Sequence, residues 1–376
     1  MPANQMKSNL LLALLLTVGL VCSASGSDAV TIGASLGARQ PQLAIDGRGR
    51  IHLTFGSGGA IYYSFSSDHG ASYTEPVRVA KLKALALGMR RGPRIAVTKE
   101  AIMITAIGGS LGDGRDGDLF AWRSSDNGKS WHGPVQVNDT AASAREGLHA
   151  TAAAGNGDAF CVWLDLRNKR TQLFGSRSTD GGTTWSENTL IYESPDGSIC
   201  ECCHPSVAYD QRGSLYVLWR NSLAGDRDMY WTTSNDGGRT FAKAVKLGQG
   251  SWRLDACPMD GGALAIGPNS RPAAVWRRNH DVFLSAQEPS QEQKLDRGLQ
   301  PWLAANDQGL YAVWLSARPG DLYFAASADN QPIKLASHAR DPVVAAASRG
   351  PIVVAWEADE NGHPLVKAKT IARGRD

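Results

Sequence analysis

The chain has 376 residues, 42% of them apolar and 20% charged, with a formal net charge of +3. So small a charge, with no concentrated Lys/Arg block, excludes a protein that tracks a nucleic-acid backbone. No Pro/Ser-rich linker, charge run or low-complexity tract divides the sequence, so one large domain is expected over residues 28–376, as a monomer.

The first element in chain order is an unbroken apolar run from Leu10 to Val21, preceded by Lys7 and followed by Ser23-Ala24-Ser25-Gly26. This pattern predicts a secretory signal peptide over residues 1–24. The run is shorter than the roughly 20 residues that cross a bilayer, so no transmembrane segment is expected. Val21 is too bulky before Cys22 for a good lipoprotein cleavage site. The expectation is an exported protein, secreted or periplasmic, in an oxidising compartment. Cys22 leaves with the signal, and Cys161, Cys200, Cys202, Cys203 and Cys257 remain.

Internal repetition begins after an expected strand segment, "DAVTIGAS", at Asp28. An apolar strand, a short turn and a second strand, often ending in Val-x-Trp, recur with starts at Pro41, Pro93, His149, Pro205, Gly262, Pro301 and Pro342. A third strand and a weaker fourth follow each pair. Interleaved with them are four copies of S-x-D-x-G-x-[ST]-aromatic, in which Asp68, Asp126, Asp180 and Asp236 recur every 54 to 58 residues. The motif reads as a hairpin turn: Asp accepts local backbone hydrogen bonds, Gly supplies positive φ, and the aromatic packs back onto the sheet. "SAQEPSQEQ" and "SADNQPIK" are expected to be degenerate versions. Four antiparallel strands per unit predict an all-β fold, a β-propeller of seven four-stranded blades (the alternative being six), closed by the N-terminal strand.

These turns resemble Asp boxes, also called BNR repeats, and the chain is similar to the sialidase superfamily of propellers over nearly all its mature length. "CECCHPSVAYD" followed by "SWRLDACPMDGGALA" resembles a bacterial sialidase-like group with a CxCC…CP signature. The Asp box implies a fold and not a reaction, and sialidases usually have six blades. Blade topology puts the Asp boxes on the face opposite the loops that lead into each first strand. Those leading loops and the strand-two-to-three loops are rich in arginine, which predicts an anion site at an axial mouth. Arg39, Arg220, Arg227, Asp228, Trp252, Arg253 and Arg340 are the expected ligand-binding residues, with an acidic glycan or small acidic molecule as the partner. The competing reading is that these arginines pair with neighbouring carboxylates and lock blades together.

The sialidase resemblance further implies an exo-alpha-sialidase type of glycosidase, with an early Arg-x-Pro that Arg39-Gln40-Pro41 matches weakly, a Tyr nucleophile and an Asp acid/base. The match is incomplete: "GSGG" in the first unit carries no aspartate, and Tyr311 and Tyr323 fall inside expected strands. Glu146 is a candidate partner carboxylate. A third reading is a metal-binding or redox-linked propeller centred on Cys200, Cys202, Cys203 and Cys257. Two disulfide pairings are open: Cys200–Cys203 with Cys202–Cys257, or Cys200–Cys202 with Cys203–Cys257, because bridging adjacent Cys202 and Cys203 is disfavoured. The rival is a thiolate site for zinc or copper, with His204 or Met259 as a further ligand; it requires a tight turn before Pro205. Cys161 reads as a buried small hydrophobe.

Overall fold

The structure, a computed structural model, describes residues 28–286, 288–327 and 331–372; the expected signal peptide and Cys22 lie outside them, as does part of the "SADNQPIK" turn. The described chain is built from antiparallel strands, with one short 3-10 turn at Pro268–Ser270. No helix among the described residues is long and apolar enough to cross a membrane.

Strands follow one another in chain order within each sheet, as short hairpin connections dictate. The first sheet holds Arg39–Ile45, Ile51–Ser57, Ala60–Ser66 and Val77–Lys81. The second holds Arg94–Val97, Ile102–Gly109, Asp118–Ser124 and His132–Gln136, with the two-residue strand Ala84–Leu85 added beside Ile102–Gly109. The third begins at His149–Ala153, the fourth at Ser206–Tyr209 and the fifth at Gly262–Gly267, each with four strands. The last sheet has seven strands, running from Leu299–Asn306 to His363–Ile371 with Val30–Ile32 on its outer edge. Within it, Ile333–Ala346 pairs through Ile333, Lys334, Ala336 and Ala339 with Gly320–Ala326, and through Arg340 and Val343–Ala346 with Ile352–Glu360.

The leading strands pack against one another in a cycle, from Arg39–Ile45 through each sheet in turn to Ile333–Ala346, which returns to Arg39–Ile45. This cyclic packing of radial sheets is a propeller. It explains why second strands are apolar throughout: Ala159–Asp165 (AFCVWLD) is buried at every position, because sheets cover both of its faces. Trp163, Trp219, Trp276 and Trp314 lie near the ends of such strands, Trp356 in the middle of Ile352–Glu360, and all five are buried between sheets. Cys161 lies in this layer, fully buried, as expected.

The four Asp boxes have one geometry. In the second, Asp126 accepts hydrogen bonds from Ser124 Oγ at 2.7 Å and from Ser130 N at 2.9 Å, while Gly128 N donates to Ser124 Oγ at 2.8 Å. The aromatic, however, packs on the preceding sheet and not only its own: Trp131 meets Tyr63 edge-on at 5.2 Å, and Phe241 meets Phe160 at 6.1 Å. A Cβ on Gly128 would fall 2.2 Å from the Tyr63 ring, so glycine is required for close approach as well as for its φ of 85°. The box is a staple between neighbouring sheets.

Candidate functional site

Proline at the start of several leading strands removes a ladder donor, and the residue before it is displaced into a bulge. Gln40, Gln300 and Asp341, before Pro41, Pro301 and Pro342, adopt φ of 56°, 51° and 46°. Strand register shifts at each of these points. The bulges turn polar side chains toward the axis, where they join. Gln40 Nε2 donates to Asp341 Oδ2 at 2.7 Å, Asp341 N to Gln300 Oε1 at 3.3 Å, and Gln300 N to Asp260 Oδ2 at 2.8 Å. Arg90, buried, donates to the carbonyls of Pro342 at 2.7 Å and Gln300 at 2.5 Å and lies over Trp302, which stacks on His204. The axis is therefore filled by side chains from several sheets.

This packing decides the fate of the expected ligand-binding residues. Arg220 is 1% exposed, and its guanidinium donates to the carbonyls of Asp260 at 3.0 Å, Arg227 at 2.6 Å and Arg277 at 2.8 Å. Trp252 is buried between the guanidinium groups of Arg220 and Arg277. Asp228 accepts Trp252 N at 2.9 Å and pairs with Lys246 at 2.8 Å. Arg220 and Asp228 thus spend their polar groups on main-chain and ion-pair partners across two sheets, with Trp252 buried against the Arg220 guanidinium. Arg39 faces buried Glu357 at 3.4 Å, and Arg340 stands across the ladder from the same Glu357. Arg227 N donates to Trp252 O at 2.8 Å; the neighbouring Arg253 is exposed and donates to Ala224 O at 2.9 Å. Of the seven, Arg227 and Arg253 are brought to the same loop region by this backbone bond to Trp252, and only Arg253 is exposed.

A cavity of about 510 Å³ lies off the axis, between the second sheet and the loop leading into the third. Arg91 and Arg145 supply the cationic part of its wall, Asp113, Asp116 and Glu146 the anionic part, and Ala84–Leu87 the apolar part. Arg91 Nε donates to the Glu146 carbonyl at 2.6 Å. Burial pushes the Glu146 carboxyl above its ordinary pKa; Arg91 opposes the shift, the nearby Glu201 adds to it, and Arg145 and Cys202 act in smaller measure. Asp116, also in the wall, is held at about 2 by the Ser110, Leu111 and Gly112 amides and is committed to its own turn. The sequence marks Arg91, Arg145 and Glu146 as loop residues, but the short strand Ala84–Leu85, which brings the apolar wall opposite them, carries no periodicity to announce it. Larger clefts of about 700 and 590 Å³ lie on the Asp-box face, lined by turn residues such as Arg48, Lys99 and Gln211.

Beside this cavity sits the cysteine cluster. The chain turns at Glu201–Cys202 and bends at Cys203, and this brings the three sulfurs together: Cys200–Cys203 3.1 Å, Cys200–Cys202 3.8 Å and Cys202–Cys203 4.0 Å. All three residues are buried, and Met259 packs against them. Cys257, exposed on the loop leading into the fifth sheet, lies on the Cys202 side of the cluster but outside the group of three sulfurs that stand within 4.8 Å of one another. No disulfide joins the described cysteines, so neither expected pairing is formed. The neighbouring thiols of Cys202 and Cys203 hold the Cys200 thiol well below its ordinary pKa, and the Arg220 charge acts in the same direction. His204 does not join the sulfurs. It points the other way onto Trp302, where burial, reinforced by Arg90, Arg94 and Arg220, keeps it neutral.

The family model described as "BNR repeat-like domain" matches residues 60–278 of this chain. No curated protein matches it in sequence. Among solved structures, a protein of unknown function from Dyadobacter fermentans superposes with a TM-score of 0.57 at 14% identity, covering 93% of this chain and 99% of that one. The GH93 alpha-L-arabinofuranosidase of Fusarium graminearum, solved with arabinobiose, gives 0.55 at 12%, covering 91% and 97%. Virginiamycin B lyase from Staphylococcus aureus, solved with quinupristin, gives 0.55 at 10%, covering 91% and 98%. At these identities the likeness is one of fold.

Proposed function

Because the chain belongs to the BNR repeat-like domain family, and with it to the sialidase-superfamily propellers, we propose that it is an exported binding protein for an acidic sugar. The ligand sits on the leading-loop face, in the off-axis cavity. The observation that carries this reading is the placing of Arg91 and Arg145 around half-buried Glu146 in a space of about 510 Å³, the size of a small-ligand pocket. A guanidinium there can grip a carboxylate, while the apolar wall takes a sugar face. The arabinobiose complex of the fungal relative supports a sugar on this fold. The cavity wall contains no tyrosine, and Tyr311 is buried in its sheet with its hydroxyl donated to Asn306 at 3.1 Å, so binding rather than Tyr-dependent sialidase turnover is the function favoured.

The reading includes seven four-stranded blades. The division of Ile333–Ala346 between two partners supports counting the seven-stranded sheet as two blades, and the pairing of Val30–Ile32 with Val366–Ala368 supports closure by the N-terminal strand. Calorimetric titration of the mature protein with sialic or uronic acids, set against neutral sugars, tests the function. Arg145→Ala should weaken acidic-sugar binding by about 1.5–3 kcal/mol, the range for hydrogen bonds to charged groups. Equal affinity for neutral sugars, or an unaffected variant, rejects the site; release of sugar from a glycoside in the same solutions would make it an enzyme.

A further inference from the structure

We propose that Cys200, Cys202 and Cys203 form a binding site for one thiophilic d10 metal ion, zinc or copper(I), with exposed Cys257 of the neighbouring loop drawn in as the fourth ligand of a tetrahedral ion. Sulfurs bound at about 2.3 Å stand about 3.8 Å apart around a tetrahedral ion and about 4.0 Å apart around a trigonal one. Two of the three separations, 3.8 and 4.0 Å, already have those values, and the third, Cys200–Cys203 at 3.1 Å, has only to open slightly. Three thiols converge within a four-residue segment because the turn at Glu201–Cys202 reverses the alternation of an extended strand. Without it Cys203 would face away.

The surroundings suit a soft ion. The cluster is buried, and the Met259 side chain packs against it. Arg220, fixed by three carbonyls, supplies a positive charge beside Cys200 and Cys203 that offsets the excess negative charge of several thiolates. Cys257 comes from the neighbouring sheet's loop, so the ion would tie two sheets together at the face that carries the sugar cavity. Metal uptake stands on the sulfur geometry alone and does not depend on sugar binding.

The test is native mass spectrometry and elemental analysis of the full exported chain, with thiol labelling before and after unfolding in chelator. The expected result is one zinc or copper ion per chain, with five thiols, the four of the site and buried Cys161, that label only after unfolding in chelator. Cys203→Ser should fall from one ion per chain to none while far-UV circular dichroism is unchanged. Cys257→Ser separates the ions: a tetrahedral zinc site loses its metal, whereas a trigonal copper(I) site on the other three sulfurs keeps it. A metal-free protein about 4 Da lighter than its fully reduced form, the mark of two disulfides, overturns the proposal. So does a fully reduced protein that takes up neither ion when each is added alone, or a Cys203→Ser variant that retains its ion.

Discussion

Arginine is the residue on which structure and chemistry divide most clearly here. A guanidinium has five donors and no acceptor, so the same fork serves a bound carboxylate or a set of main-chain carbonyls, and burial decides between them. Arg220, buried with its three carbonyl acceptors, belongs to the second kind. Arg220→Met should lower unfolding free energy by at least about 3 kcal/mol, since several buried acceptors lose their donor. Arg220→Lys should recover little, because an ammonium cannot span the carbonyls of Asp260, Arg227 and Arg277; urea denaturation measures both. Arg145 is exposed in the cavity wall, and the proposed function assigns it to the first kind. Glu146 sets the pH response of that wall. Its raised pKa means that it takes up a proton at a higher pH than a free glutamate, so affinity for an acidic sugar should rise as pH falls through that raised value toward 4.5. Titrations of wild type and Glu146→Gln across this range check the sign: the variant should lose the slope.

At the scale of the element, the Asp box joins sheets by two devices that can be separated experimentally. Gly128→Ala adds a methyl against Tyr63 at a position with φ of 85°, and should cost about 2–4 kcal/mol from crowding and backbone strain together. Gly157→Ala, at a φ of 98° with nothing within 4 Å, should show only the backbone part, about 1–2 kcal/mol. Equal losses would mean that the Tyr63 contact contributes nothing. The carboxylate is the second device. Ser130, through its hydroxyl and amide, holds Asp126 well below the ordinary value of 3.8. A folded pKa below the unfolded one gives stabilisation that is present above pH 3.8 and lost as pH falls below it toward the lowered pKa. The stability gap between wild type and Asp126→Asn should therefore narrow below pH 4, which melting temperatures measured from pH 7 down to pH 2 would reveal.

Across the whole molecule, the first and last described strands meet on one sheet. Val30–Ile32 adds to His363–Ile371, and Ile32 is buried with Val343, Val353 and Val366 in the layer shared by the first and last sheets. If this strand closes the ring, Ile32→Ala should cost about 2–4 kcal/mol, as for any buried aliphatic truncation, despite lying in a three-residue strand at the chain's edge. Deletion of Val30–Ile32 should go further, leaving an unpaired strand edge that associates with other chains, visible as a shift in sedimentation. A fully stable monomer after deletion would argue that the remaining strands suffice.

The sequence by itself determined the all-β repeat, six of the seven strand-pair starts to within two residues (Pro342 instead lies inside Ile333–Ala346) and the four Asp boxes, because each is a local pattern: alternating or continuous apolar residues, a proline at the leading edge, and Ser, Asp and Gly in fixed order around a turn. It also placed Cys161 in the core and required a turn at Cys203 before any metal could bind. Only the tertiary structure decided which arginines are free, since that depends on carbonyls some 40 to 57 residues away in other sheets, as with Arg220 and those of Asp260 and Arg277. It likewise turned His204 from the sulfurs to Trp302, and set Ala84–Leu87 opposite Glu146 to form a cavity that no stretch of the chain encodes on its own. Pairings across sheets are set by which surfaces a closed ring brings together, and that information resides in the packing of the whole chain.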